Sequence, residues 1–177
     1  MRTLITILFL VYSLIAQAQY SLIQIRTLHQ KAYDSDEDAM FFADYMEQIE
    51  YDNNVVIDGY KAMSKVFMAK NGWNPYKKYT SFKEGTDLLD ESVKRDQNNV
   101  ELRFLRYTVQ CNAPSFLGYS ENIEADKKFI ISNWPDISDM DLKNRIRNYM
   151  LGSENLSDQE LSIFEKKIKQ TNTASAG

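Results

Sequence analysis

Arg103, Arg106, Tyr107 and Gln110 are the side chains of this sequence best suited to recognition chemistry. At 100° per residue they share one side of a helix built from the stretch Val100–Tyr119. Two guanidinium groups a turn apart suit a bidentate grip on a carboxylate, and a tyrosine ring adds flat contact area. These four are the expected partner-binding residues. The same face has two other possible uses: structural ion pairs to nearby acids, and anchoring of the following NAPSFLGY loop from beneath.

Catalytic chemistry finds little material. The chain has one histidine, His29, and one cysteine, Cys111. A Ser–His–acid or Cys–His site would have to use one of them, and nothing in the sequence juxtaposes them with partners. A zinc site of thiolates or imidazoles lacks ligands. The acidic run Asp36–Asp38 lacks the glycine and distal glutamate of a calcium loop, so it reads as a helix start. Neither G-x-x-x-x-G-K-[ST] nor G-x-G-x-x-G occurs. No catalytic residue, metal site or cofactor is assigned. The surviving enzymatic alternative is a cell-wall glycan hydrolase using a carboxylate pair, with Glu101 as the candidate acid.

These residues need a helix to hold them. In Val100–Tyr119, Leu102, Leu105 and Val109 form one apolar flank, and Phe104, Thr108 and Cys111 another. Two flanks predict a helix packed between neighbours rather than a surface helix with one stripe. Asn98 is the expected cap, with Glu101 at the N3 position of a capping box. Pro114 stops the helix and Gly118 permits a turn. The lone Cys111 has no intramolecular partner and is expected to be buried and inert.

The rest of the chain is punctuated into further helices. Residues 20–33 carry Leu22, Ile25, Leu28 and Ala32 at helical spacing, and His29 beside them reads as a solvated or core-edge residue. Ser35 caps a second helix whose buried stripe is Ala39, Phe42, Ala43, Met46 and Ile49. A third runs to about Lys70, with small residues Gly59, Ala62 and Ala69 permitting close helix approach. A fourth spans 75 to about 95 with Pro75 at N1 and an irregularity near Thr80–Ser81. Tyr119-Ser120 begins the next, and Pro135 ends it. Ser138 and Ser157 are expected to cap the last two, each followed three residues later by an acid, and 171–177 reads as a disordered tail. Strand signals are weak throughout. The expected fold is all-α, made of antiparallel helical hairpins arranged as an α-solenoid or an irregular α-bundle.

Residues 1–18 read as a secretory signal: Arg2, then the apolar run Thr3–Ala16, then Ala16-Gln17-Ala18 for cleavage after Ala18. The run is shorter than the ~20 residues of a spanning helix, so no membrane insertion of the mature chain is expected. The product would be exported, periplasmic or secreted, with a single all-α domain over 19–170. That length buries about 70% of the unfolded surface. The formal net charge is −4, and loss of Arg2 makes it more negative. Such a balance argues against nucleic acid as a partner.

Gly85, Leu89, Ser92 and Gln97 stand at the spacing of the second-helix pattern of tetratricopeptide repeats, which is similar to A-x3-F-x2-A-x4-P. Gly, Ser and Gln take the places of Ala, Ala and Pro. The block NNVELRFLRYTVQ with NAPSFLGY also resembles secreted bacterial helical proteins of no assigned activity. The tetratricopeptide resemblance implies a scaffold that binds a protein or peptide, and implies no catalysis. The expected function is therefore a helical binding or structural module.

Overall fold

The computed structural model describes residues 22–49, 53–71 and 74–174. The expected signal and its cleavage site lie outside them. The regular structure of the described residues is all helical, with eight α-helices, two short 3-10 turns and no strand. The helices are α1 (22–31), α2 (Asp36–Gln48), α3 (Val55–Asn71), α4 (Pro75–Arg95), α5 (Val100–Asn112), α6 (Ile123–Asn133), α7 (Met140–Gly152) and α8 (Asp158–Ala174). α8 therefore continues into the stretch expected to be a tail. Packing gathers into two compact units, one ending at Leu89 and the other beginning at Asp90.

Local chemistry sets most helix starts. The Ser35 hydroxyl accepts from the Asp38 amide at 3.0 Å, with Asp36, Glu37 and Asp38 in the first turn. Asn54 accepts from Val56 N at 2.9 Å, and Asn74 from Tyr76 N at 3.0 Å just ahead of Pro75. α4 then runs unbroken through Thr80 and Ser81, and the Thr80 hydroxyl donates back to Tyr76 O at 3.1 Å instead of capping a new start. Two starts differ from expectation by one residue. Asn99, not Asn98, caps α5 through bonds from Glu101 N (3.1 Å) and Leu102 N (3.2 Å). Asp139, not Ser138, caps α7 through Leu142 N at 3.1 Å. In each case two adjacent residues are competent caps, and only the backbone's entry into the helix distinguishes them.

In the first unit, the buried stripe of α2 is Ala39, Phe42 and Met46, packed on α3. His29 is 7% exposed and belongs to this core. The rings of Tyr33, Phe42, Tyr60 and Phe67 meet it edge-on at centroid distances of 5.5, 5.7, 5.3 and 5.6 Å. α3 and α4 approach closely at Gly85. A Cβ there would stand 2.9 Å from the Ala62 carbonyl oxygen, 2.9 Å from Val66 N and 2.8 Å from Val66 Cγ2. Two of those three neighbours are backbone, which cannot rotate away.

In the second unit, Phe104, Tyr107, Ile130, Trp134, Ile146 and Phe164 form the apolar core. α6 ends ahead of Pro135 in the 3-10 turn Trp134–Asp136. The buried Lys143 ammonium donates to Pro135 O (3.0 Å) and Ile137 O (3.1 Å), satisfying carbonyls that the turn leaves open. α8 starts with a reciprocal capping box. Glu160 N donates to Ser157 Oγ at 3.4 Å, and Ser157 N donates to Glu160 Oε2 at 2.9 Å. Buried Lys127 of α6 pairs with Glu160 at 3.0 Å and Glu124 at 2.8 Å.

Two outcomes follow from these contacts. Gly85→Ala lowers stability in chemical denaturation by about 1–3 kcal/mol, because overpacking against α3 backbone outweighs alanine's helix propensity; unchanged or higher stability contradicts the close approach. For Glu160, burial alone would raise its pKa, but the Ser157 amide and hydroxyl and then Lys127 outweigh it, holding the carboxyl below the ordinary range. A depressed folded value stabilises above the unfolded value and is lost as pH falls through the folded one. Stability therefore declines from about pH 4 downward, and Glu160→Gln, which keeps the cap but not the charge, flattens that decline. An equally steep acid decline in the variant sinks the assignment.

Candidate functional site

α5 is buried along nearly its whole circumference. Leu102, Leu105 and Val109 are buried on one flank and Phe104 and Thr108 on the other, as two apolar flanks require. The face between them, expected to carry recognition residues, is covered as well. Arg106, Tyr107 and Gln110 are 7%, 0% and 5% exposed. Arg103 is the most accessible, with 19% of its side chain exposed.

Three of the four meet one carboxylate. Asp126, on α6, is fully buried. Its Oδ1 accepts from Arg103 Nη1 and Arg106 Nη2, both at 2.8 Å. Its Oδ2 accepts from Arg106 Nε at 2.7 Å and from Gln110 Nε2 at 2.9 Å. Residues 103, 106 and 110 lie one and two turns apart on α5, which places their polar ends in a row along α6. Arg106 engages Asp126 side-on through Nε and Nη2 and sends Nη1 to Asp90 Oδ1 at 3.0 Å. Arg103 also donates from Nε to Gln97 O at 3.1 Å, and its guanidinium lies 4.9 Å from the Phe129 ring centroid.

The cluster holds two arginines and two aspartates, so its formal charges cancel. Burial alone would lower the Arg106 value, yet its bonds and charges to Asp126 and Asp90 raise it well above the ordinary one. Tyr119 donates to Asp90 Oδ1 at 3.1 Å. Burial, and then the Asp90 charge, push its hydroxyl far up, so it stays a proton donor.

The cluster reaches the loop after α5. Gln110 Oε1 accepts from the backbone N–H of Asn122 at 2.9 Å. Asn122 is the residue ahead of α6, which begins at Ile123 instead of at Tyr119-Ser120. Between the Ala113 cap and Asn122 the chain forms the 3-10 turn Ser115–Leu117. Leu117 N donates to Pro114 O at 2.9 Å, and Gly118, at φ 65°, donates to Ser115 O at 3.1 Å. Phe116 stands at the tip and is 85% exposed.

Tyr107 parts from the other three and enters the apolar core, its ring edge-on to Tyr149 at 6.2 Å. Burial and then neighbouring Cys111 push its hydroxyl far up. Cys111 is half-buried, and burial pushes its thiol up. A thiol so placed is a poor nucleophile. Glu101 is buried at 5% exposure in the first turn of α5. No group of three or more histidine, cysteine or acidic side chains is placed to hold a metal among the described residues. No helix among them is long and apolar enough to cross a membrane.

Asp126, Asp90 and Phe116 are the residues missed in the sequence. Asp126 was legible in principle: it falls three after Ile123 and four before Ile130, inside the apolar arc of α6. A carboxylate in such an arc requires a buried cation or several donors.

Asp126→Asn is expected to cost about 3–5 kcal/mol in urea denaturation, because it leaves buried guanidinium groups without their main anion. Arg103→Ala, at the more accessible edge, is expected to cost about 1–3 kcal/mol. Equal losses, or a smaller loss for Asp126→Asn, contradict the central role of Asp126. Comparison with family models, curated proteins and solved structures gives no match to this chain.

Proposed function

We propose that this protein is an exported helical binding module, and that its contact element is the loop 113–122 rather than the arginine face. The observation that carries the reading is Phe116, 85% exposed at the tip of a short, internally bonded turn. A large aromatic side chain left in water gives up burial worth roughly 1.5–3 kcal/mol. A partner with an apolar pocket recovers that on docking. The loop is bonded to the Asp126 cluster on its α6 side, through Tyr119 to Asp90 and Asn122 to Gln110. Pre-ordering of this kind lowers the entropy lost on binding. The leader-like run ending Ala16-Gln17-Ala18 supports export. The closely packed α3–α4 pair at Gly85 supports a hairpin scaffold of the tetratricopeptide kind. Arg103, Arg106 and Gln110 then serve binding indirectly, by holding the loop, and the partner is a protein or peptide.

A photo-crosslinking phenylalanine analogue at position 116, in the full chain added to an envelope extract of the source cells, tests this. The expected result is a discrete protein adduct from position 116 that is absent with the same analogue at exposed Glu154 and lost when unlabelled wild-type chain competes. No adduct at 116 beyond the Glu154 control contradicts the reading.

A further inference from the structure

A second surface of the Asp90–Gly177 unit has the make-up of a ligand site. Where α5 ends and α7 turns toward α8, Asn112, Asn148, Tyr149, Gly152, Ser153 and Asn155 line an open hollow of about 390 Å³. Small-molecule sites run from roughly 300 Å³ upward. Every side chain described in its lining is uncharged, although the chain is rich in charge.

One wall is held in place. The Tyr149 ring is edge-on to Phe104 at 5.5 Å and to Tyr107 at 6.2 Å. Its hydroxyl accepts from Asn112 Nδ2 at 3.0 Å. Asn112 Nδ2 also donates to Thr108 O at 2.7 Å. Both amide hydrogens of Asn112 are therefore used, and Oδ1 is left as an acceptor. In the same lining, the Asn148 and Asn155 side chains are exposed and form no hydrogen bond among the described residues. Gly152 has no atom within 4 Å of where a Cβ would stand, so the floor is open.

We infer that this hollow binds a neutral sugar ring. An amide side chain offers an acceptor and donors side by side, and neighbouring ring hydroxyls, each both donor and acceptor, complement that pairing. The fixed acceptor of Asn112 takes one hydroxyl, the amides of Asn148 and Asn155 take others, and Tyr149 supplies an aromatic wall. The lining side chains offer no counter-charge to an anion or a cation, and the buried Lys127 ammonium, 3.5 Å from the Asn155 carbonyl oxygen, is already paired with Glu124 and Glu160. The described lining also holds no carboxylate, so the sugar is bound and not cleaved there. The size favours one ring over an extended peptide strand. This site is separate from the Phe116 loop and does not depend on it.

The test uses the full chain labelled with nitrogen-15 and titrated with trisaccharides of glucose, mannose and N-acetylglucosamine. At least one is expected to give saturable shifts at Asn112, Asn148, Tyr149 and Asn155, with a dissociation constant in the millimolar range. Asn148→Ala with Asn155→Ala is expected to weaken binding about tenfold, as loss of two exposed hydrogen bonds implies, with an unchanged melting curve. A trisaccharide of glucuronate is expected to leave those resonances unmoved. The inference is overturned if no neutral trisaccharide shifts them, if the double variant binds equally well, or if glucuronate or an uncharged tripeptide binds more tightly.

Discussion

The Asp126 carboxylate, wholly buried and bonded by Arg103, Arg106 and Gln110, is the constraint on which the Asp90–Gly177 unit depends. An unpaired carboxylate in that place would carry the full cost of lost hydration. Paired with two guanidinium groups and an amide, it fixes α6 against α5 in rotation and in register. A shift of one residue along α6 would carry the carboxylate about 100° around the helix and away from all three donors. An apolar contact tolerates such slips far better, because it has no direction. The polar cluster thus contributes specificity of arrangement, and the surrounding core of Tyr107, Ile130, Ile146 and Phe164 contributes the bulk of the burial.

The same groups connect packing to the surface. Gln110 uses its two ends on different tasks, giving Nε2 to Asp126 and accepting the Asn122 amide on Oε1. Asp90 joins the two on a single oxygen, accepting from both Arg106 and Tyr119 on Oδ1. The route from the buried anion to the loop is two hydrogen bonds long through Gln110 and three through Arg106 and Asp90. The exposed Phe116 tip rests on a segment whose C-terminal part is tied to an ordered interior.

Much of the architecture was legible in the sequence, and the reasons differ by element. Ser35 with its acids, Pro75, and Ser157 with Glu160 announce helix starts through local chemistry alone. Asn98 against Asn99 and Ser138 against Asp139 are choices between adjacent competent caps, decided by the chain's path. α6 starts at Ile123 rather than Tyr119-Ser120, and the amide ahead of it is bonded to Gln110 of another helix, a contact that local reading cannot foresee. The arginine face shows the same limit. Two cations and an amide on one side of α5 were visible, but their anion lies on α6, and only helix register brings the two together. The two apolar flanks of α5 already implied neighbours on most sides. The covered face is the consequence of a third contact, made by a carboxylate inside an apolar arc.

Hydrogen exchange at the Asn122 backbone amide tests this account most directly, because that amide is where the cluster meets the loop. In the wild-type chain it should be protected well beyond the exposed turn amides of Ser120 and Glu121. In Gln110→Ala that protection should vanish while the amides of α8 keep theirs. Free exchange at Asn122 in the wild type, or protection that survives Gln110→Ala, would contradict the claim that the buried Asp126 cluster holds the loop.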